Sequence, residues 1–182
     1  MAVLFDDELA LQLGASVLGA ATEVFVNADG YKKSISGPGV GNYITMAKAL
    51  AAARAVVGEK ALREGGLVLA HGTGTPQNRT TESAILSRVA AAFGIDSWPV
   101  VAVKCYLGHS IGAAAGDQLA AALGIWQRGI LPGITTIDGI AADVSQDHLS
   151  FSRVHREVDP GEQQYAIINS KGFGGNNASA TL

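Results

Sequence analysis

The pattern that decides the fold lies in the stretch Gly66-Leu67-Val68-Leu69-Ala70-His71-Gly72-Thr73-Gly74-Thr75-Pro76. The apolar run 67–70 predicts a short strand that is buried on both faces. The polar, glycine-containing residues 71–78 then predict a loop, and residues 79–93 predict a helix. A doubly buried strand that leads into a helix is typical of an α/β protein whose sheet is covered by helices on both faces.

The same alternation of short apolar runs and helical patterns extends along the rest of the chain. Further strands are predicted at 15–26, 100–103 and 165–168, and further helices at 43–57 and 109–126. Residues 27–41 contain several glycines and one proline and predict a loop. No linker, low-complexity segment or strong internal repeat interrupts this order, so we expect one α/β unit with a mixed sheet covered by helices.

Composition narrows the class of protein further. The chain has 182 residues, of which 48% are apolar and 16% are charged, so it can bury a core and is not a disordered tail. Cys105 is the single cysteine, which excludes an internal disulfide and a zinc site built from four cysteines. The net charge of −3 offers no electrostatic basis for binding nucleic acid.

The N-terminal sequence contains no recognisable targeting signal. Asp6, Asp7 and Glu8 stand where a signal peptide requires basic residues. The apolar stretch 13–21 is too short to span a membrane. We therefore expect a soluble cytoplasmic protein without a membrane or nucleic-acid partner.

The first candidate site follows the strand at 67–70. His71 lies where ligand sites occur in α/β proteins, at the carboxyl end of a buried strand. Thr73 and Thr75 add two hydroxyls that can bind a polar ligand, and the glycines between them allow a sharp turn. The alternative is an ordinary turn between a strand and a helix, with a histidine at the surface.

The second candidate site is Lys104-Cys105-Tyr106-Leu107-Gly108-His109-Ser110, after the strand at 100–103. We predict that His109 begins a helix, whose N-terminus disfavours a protonated ring and favours an anionic ligand. A neutral imidazole can still donate one N–H to a developing oxyanion. The small residues 112–116 predict close packing against another backbone. The alternatives are a packed helix with an incidental histidine and a solvated Lys104.

The third candidate site is Asn169-Ser170-Lys171-Gly172-Phe173-Gly174-Gly175-Asn176-Asn177, after the strand at 165–168. Three glycines around Phe173 predict a flexible loop that presents main-chain N–H groups beside a bulky gate. A glycine-rich hairpin is the alternative interpretation of the same residues.

The three sites share a position after a buried strand, so we expect them to meet at one edge of the sheet. Two histidines, a lysine and free N–H groups suit the stabilisation of a negatively charged oxygen. A metal held by His71 and His109 is the rival interpretation, but no third ligand is evident and we expect no metal. His148 and His155 lie in a polar segment and are predicted to be surface residues.

Taken together, the three motifs resemble those of the β-ketoacyl synthases, the decarboxylating condensing enzymes of fatty acid and polyketide synthesis. They occur in the family's order, as His71-Gly-Thr-Gly-Thr-Pro, Lys104-x-x-x-Gly-His109 and Asn169-Ser-x-Gly-Phe-Gly-Gly-x-Asn177. The resemblance implies that residues 1–182 form the C-terminal ketosynthase domain, one half of the thiolase-like αβαβα arrangement. The N-terminal half, which carries the nucleophilic cysteine, is expected to be absent, and Cys105 does not replace that cysteine.

The resemblance also implies catalytic roles. His71 and His109 would donate hydrogen bonds to the malonyl thioester carbonyl and stabilise the enolate that forms on loss of CO2. Lys104 would maintain the electrostatics and geometry of His109. Glu82 matches the acidic residue after the first motif and would belong to the same supporting network.

Substrate contacts follow from the same resemblance. Thr73 and Thr75 would bind the phosphopantetheine arm, and Gly174 would also contact substrate. The N–H of Phe173 would complete an oxyanion hole with the N–H of the missing cysteine. No free cofactor is implied, because substrates arrive on the phosphopantetheine of acyl carrier protein or on coenzyme A. Acyl carrier protein, the N-terminal half and a second copy in a homodimer are the implied partners.

Two departures from the family pattern indicate a divergent branch. Asn78-Arg79 stands where the family usually has Gly-Asp, and Lys171 replaces an aromatic residue. We expect the chain alone to be inactive in condensation. Two other functions stay open: a non-catalytic partner of the chain-length-factor type, and a thiolase-like acyltransferase that does not decarboxylate.

Overall fold

The computed structural model describes residues 2–30 and 39–182. Its helices are α1 (Asp7–Gln12), α2 (Val40–Glu64), α3 (Pro76–Ala92), α4 (Lys104–Leu107) and α5 (Ala114–Arg128). Its strands are β1 (Glu23–Ala28), β2 (Gly66–Leu69), β3 (Trp98–Val101), β4 (Ile130–Leu131), β5 (Leu149–Ser150), β6 (Arg156–Glu157), β7 (Tyr165–Gly172) and β8 (Asn176–Thr181). Short 3₁₀ turns cover Ile111–Ala113 and Phe173–Gly175.

Six strands form one mixed sheet in the order β1-β8-β7-β2-β3-β5. The strands β7, β2, β3 and β5 are parallel, whereas β8 pairs antiparallel with both β7 and β1. β4 and β6 form a separate two-stranded ribbon. The strands predicted at 67–70, 100–103 and 165–168 are thus confirmed as β2, β3 and the first half of β7, lying side by side.

Both faces of the sheet are covered, as the continuous apolar strands predict. Along β2, Val68 belongs to one core, whereas Leu67 and Leu69 belong to the other. The first core contains apolar residues of α2 and α3, and the second contains residues of α5. Successive side chains of a strand point to opposite faces, so a strand between two helical layers must be apolar at every position.

Gly66 shows how a glycine starts this central strand. A Cβ atom built on Gly66 would lie 2.0 Å from the ring of Tyr165, its register partner on β7. The tyrosine ring therefore occupies the space that any side chain at Gly66 would need. Its hydroxyl donates to the carbonyl oxygen of Leu62 at 2.7 Å, which ties the end of α2 to the sheet.

The long strand predicted at 15–26 is wrong in its first half, because regular pairing begins only at Glu23. Residues 15–22 run past α5 instead, where a Cβ on Gly19 would lie 2.9 Å from the ring of Trp126. On β1, Val24 and Val26 are exposed. The dense apolar residues that suggested a buried strand therefore lie on an edge strand and an irregular segment.

The helix predicted at 109–126 is also wrong at its start. α4 is a single turn that ends before His109, and the continuous helix α5 begins at Ala114. Gly108 has a φ of 72°, a conformation that interrupts helical backbone. The predicted close packing of residues 112–116 is not found among the described residues, where Cβ atoms at Gly112 and Gly116 would contact nothing within 4 Å.

The glycine-rich residues 169–177 form a hairpin rather than the predicted flexible loop. β7 continues to Gly172 and β8 begins at Asn176, with only the 3₁₀ turn between them. Gly174 has a φ of 79°, which explains a glycine at the tip. The loop predicted at 27–41 falls largely on residues 31–38, which lie outside the described residues.

Two expectations about the surface have different outcomes. His155 is exposed, as predicted, whereas His148 is half-buried, with its Nδ1 3.1 Å from the carbonyl oxygen of Ile95.

Within the described part of the chain, no helix is both long enough and apolar enough to cross a membrane.

Candidate active site

The parallel strands β2, β3 and β7 end at the same edge of the sheet. Side chains of the first and second motifs come together there. His71 follows β2, and His109 follows the short helix after β3. The centroids of their rings lie 5.3 Å apart, with the ring planes at 79°. The predicted convergence of the two histidines is therefore present in the structure, although they are 38 positions apart in the sequence.

Main-chain donors orient both imidazole rings. The N–H of Lys171 donates to Nδ1 of His71 at 3.2 Å, and the N–H of Ile111 donates to Nδ1 of His109 at 3.0 Å. A nitrogen that accepts a hydrogen bond carries no proton, so each neutral ring keeps its proton on Nε2. The site therefore offers two Nε2–H donors side by side.

Burial keeps His71 neutral. It lowers the pKa of His71 from 6.5 to about 4, and the positive charges of Lys104 and Lys171 act in the same direction. Glu82 opposes the shift by attracting a proton to the ring. The ring is consequently uncharged at neutral pH. The helix N-terminus that we predicted at His109 is not there, because α5 begins five residues later, at Ala114.

This low pKa predicts a loss of stability in acid. Between pH 6.5 and about 4 the unfolded chain binds a proton at His71 that the folded chain does not, so the free energy of unfolding falls as the pH falls. From about pH 7 to about pH 5 we expect a loss of about 1–2 kcal/mol from this residue in urea unfolding. His71→Gln is expected to have a smaller pH dependence. Equal pH dependence in both proteins would contradict this assignment.

Glu82 is the centre of the buried network behind His71. Its side chain is 4% exposed and lies on α3. Its two oxygens accept hydrogen bonds at 2.6 to 2.9 Å from four donors, namely the N–H groups of His71 and Gly72 and the amides of Asn78 and Asn169. Carboxylate acceptors form strong hydrogen bonds, so Glu82 holds the His71 loop against α3 and β7.

Two residues of this network, Asn42 and Gln118, were not predicted from the sequence, whereas Asn169 begins the third predicted motif. Asn169 is fully buried and exchanges amide hydrogen bonds with Asn42 of α2 at 2.7 and 3.3 Å. The amide nitrogen of Gln118 on α5 lies 2.8 to 3.0 Å from the carbonyl oxygens of Leu69, Ala70 and Asn169. Gln118 is polar on a helix face whose other buried positions are apolar. That interruption of the pattern is a signal that the sequence does contain.

Lys104 is the first residue of α4 and is half-buried. Its ammonium nitrogen is buried and has no hydrogen-bond partner in the described ranges. Burial lowers the pKa of Lys104, while Glu82 and Asp117 raise it. In the described part of the chain, Lys104 therefore makes no direct hydrogen bond to His109.

Of the predicted substrate-contacting residues, Thr75, Phe173 and Gly174 are exposed and Thr73 is half-buried. The hydroxyls of Thr73 and Thr75 are 3.2 Å apart, within hydrogen-bond distance. Phe173 is 79% exposed, and Gly174 follows it in the same turn. A cavity of ≈ 250 Å³ opens beside His71 and His109, and these four residues do not line it.

The donor set at the histidine pair suits an anionic oxygen. Across residues 2–30 and 39–182, no three side chains of His, Cys, Asp and Glu come together as a metal ion would require. The charged groups that act on His71 are Glu82, Lys104 and Lys171. Two neutral N–H donors with lysines behind them are an arrangement that stabilises developing negative charge.

Comparison with known proteins identifies the family. Residues 18–138 match the family model described as "Beta-ketoacyl synthase, C-terminal domain". The chain belongs to the β-ketoacyl synthase family. The resemblance based on the three motifs is thereby confirmed, and so is the thiolase-like fold.

Relatives and solved structures agree with this family. The ketosynthase domain is 60% identical over 181 residues to the β-ketoacyl-[acyl-carrier-protein] synthase FabY of Pseudomonas aeruginosa, spanning 99% of this chain and 28% of that protein. It superposes on a crystal structure of FabY from P. aeruginosa with a TM-score of 0.91 and 59% identity, over 96% of this chain and 27% of that one. A 3-oxoacyl-[acyl-carrier-protein] synthase 2 of Vibrio cholerae is 29% identical over 178 residues, covering 97% of this chain and 41% of that protein.

The ketosynthase domain accommodates its departures at 78 and 79 with new polar contacts. Asn78 donates to Glu82 at 2.8 Å, so the substitution adds a donor to the buried network. Arg79 forms a two-pronged ion pair with Asp143, with both N–O distances at 2.9 Å. The pair connects the first turn of α3 to the segment before β5.

Cys105 of the ketosynthase domain has the environment of an unreactive thiol. It is half-buried and lines a second cavity of ≈ 330 Å³ together with Thr73, Glu82 and Lys104. Burial raises the pKa of its thiol. A nucleophilic cysteine requires the opposite shift, which is consistent with our prediction that Cys105 is not the nucleophile.

Proposed function

We propose that this domain provides the enolate-stabilising half of a decarboxylative Claisen condensation between an acyl thioester and malonyl-acyl carrier protein. The observation that carries the proposal is the pair of Nε2–H donors on His71 and His109, whose ring centroids lie 5.3 Å apart. Two fixed donors next to each other can bind one carbonyl oxygen and stabilise it as it becomes an oxyanion.

In the proposed reaction, the malonyl thioester carbonyl oxygen accepts hydrogen bonds from His71 and His109. The bond to the terminal carboxylate breaks and CO2 leaves, and its electron pair forms the enolate held by the two donors. The enolate carbon then attacks the acyl thioester on a cysteine of the N-terminal half. A carbon–carbon bond forms, and the cysteine thiolate leaves with the electron pair of the broken C–S bond.

The supporting residues have roles in this proposal that follow from their positions. Glu82 holds the His71 loop by its four hydrogen bonds, and Lys104 supplies positive charge behind the pair. Thr73 and Thr75 would bind the phosphopantetheine arm.

The hairpin turn and the partners complete the proposal. Phe173 would donate its N–H to an oxyanion hole, and Gly174 would contact the substrate. Acyl carrier protein, the N-terminal half and a second copy in a homodimer are the proposed partners in the cytoplasm. Substrates carry phosphopantetheine themselves, so no free cofactor is required.

The proposal predicts that the 182-residue chain alone does not condense acyl and malonyl thioesters. The acyl group that the enolate attacks must be bound to a cysteine of the N-terminal half. The purified chain is expected to form no 3-oxoacyl product above background. Mixing it with a separately expressed N-terminal half, taken from the complete gene, is expected to restore product detected by mass spectrometry. A variant of that half without its cysteine is the control. Product from the 182-residue chain by itself would contradict the proposal.

A further inference from the structure

Lys171 joins the hairpin of β7 and β8 to two other parts of the site. Its side chain is 6% exposed, although lysine is rarely buried. Its main-chain N–H donates to Nδ1 of His71, and its ammonium nitrogen lies 3.4 Å from the hydroxyl oxygen of Thr81 on α3. One residue thus contacts the catalytic ring through its backbone and the neighbouring helix through its side chain.

Buried carboxylates explain how this lysine is tolerated. Glu82 and Asp29 both attract the ammonium group. Asp29 is 7% exposed, and its Oδ1 accepts the N–H of Asn42 at 3.3 Å. Its Oδ2 is buried without a hydrogen-bond partner in the parts of the chain that the structure describes. Lys171 therefore compensates the charges of carboxylates that would otherwise be costly to bury.

We propose that Lys171 is a positioning residue for His71: its backbone orients the ring, and its ammonium offsets Glu82 so that the ring takes up no second proton. Its part in condensation rests on the function proposed above, whereas its effect on His71 does not.

The charges that face His71 explain why Lys171 matters. Glu82 of α3 favours a protonated ring, whereas Lys104 of α4, His109 of the following turn and Lys171 of β7 oppose it. Removal of Lys171 deletes one opposing charge and leaves Glu82 less compensated. Both changes favour protonation of His71. Replacement by arginine keeps the charge and the backbone donor.

Titration of the four histidines by NMR in the 182-residue chain tests the proposal directly. The His71 signal is assigned by its loss in His71→Gln. In Lys171→Met, we expect the pKa of His71 to rise by at least ~0.5 unit. In Lys171→Arg it is expected to stay near the wild-type value. Lys60→Met, which removes an exposed lysine of α2, is the matched control and is expected to change nothing.

The remaining variants distinguish an effect of the Lys171 charge on the His71 pKa from an effect of a lost contact or of misfolding. Thr81→Val removes the hydroxyl next to the ammonium but keeps the charge, so it is expected to leave the His71 titration unchanged. Circular dichroism verifies folding, and Lys171→Gln serves the same test if Lys171→Met does not fold. An unchanged His71 pKa in the folded uncharged variant would overturn the proposal, as would an equal rise in Lys171→Arg.

A measurement on the complete synthase separates this inference from the proposed function. In Lys171→Met, the acid limb of the pH profile of malonyl decarboxylation is expected to move to higher pH, with recovery in Lys171→Arg. If the wild-type synthase releases no CO2 at any pH while the NMR shift is present, the proposed function fails and the effect of Lys171 on His71 stands.

Discussion

His109→Ala is expected to lower malonyl decarboxylation by the complete synthase about 10²–10³-fold, the usual cost of losing one oxyanion donor. The ring of His109 is held by the N–H of Ile111, so its Nε2–H is directed by the backbone. His71→Ala is expected to have a comparable effect. CO2 release from malonyl-acyl carrier protein, with the N-terminal cysteine present, is the measurement.

His155→Ala is the matched control for these variants. His155 is exposed, its ring stacks on Tyr106 at a centroid distance of 6.2 Å, and it does not line the cavity beside His71 and His109. We expect wild-type CO2 release from this variant. Unchanged CO2 release in both His71→Ala and His109→Ala would eliminate the proposed mechanism. That result would favour a non-catalytic partner of the chain-length-factor type or an acyltransferase that does not decarboxylate.

Glu82→Ala is expected to be the most destabilising substitution considered, with a loss of about 3–5 kcal/mol. It removes the acceptor of four buried hydrogen bonds and leaves Lys104 and Lys171 without their shared carboxylate. Donors that stay buried without an acceptor carry their full desolvation cost. Urea unfolding of the 182-residue chain near neutral pH measures the difference.

Glu59→Ala is the control for the loss of a carboxylate at the surface. Glu59 is exposed on α2 and, among the described residues, pairs with the exposed Arg54 and Arg63, so we expect a change within about 0.5 kcal/mol. Glu82→Gln retains the shape but turns one acceptor into a donor, and its stability is expected to lie between those of the wild type and Glu82→Ala. A loss of less than about 1 kcal/mol in Glu82→Ala would contradict the central position given to this carboxylate.

The sequence predicts the central sheet well because its signals are local. Residues 67–70 and 165–168 are apolar at every position, and a strand between two helical layers requires that pattern. The prediction fails at 15–26 and at the start of 109–126. The pairing of β1 at the sheet edge depends on β8, which is distant in the sequence. The interruption at Gly108 depends on its backbone conformation. Apolar periodicity reports neither.

The positions of His71, Lys104 and His109 could be predicted because each follows a recognisable strand. Gln118 could not be assigned to the site in the same way, and the hydrogen bond from Asn169 to Glu82 could not be predicted either. Gln118 contacts carbonyl groups 48 to 51 positions away, and Asn169 reaches Glu82 across 87 positions. Such contacts have no periodic signature, although a polar residue on the buried face of α5 does mark Gln118 as unusual.

The sequence by itself determined the candidate site residues and the strands that precede them, because residue type and apolar runs are local properties of the chain. Only the tertiary structure decided the chemical state of the histidines. The proton on His71 is directed to Nε2 by a backbone donor 100 positions away, and the ring is kept neutral by burial and by lysines from two other elements. Electrostatics and desolvation depend on distance in space, so they exist only once the strands are aligned.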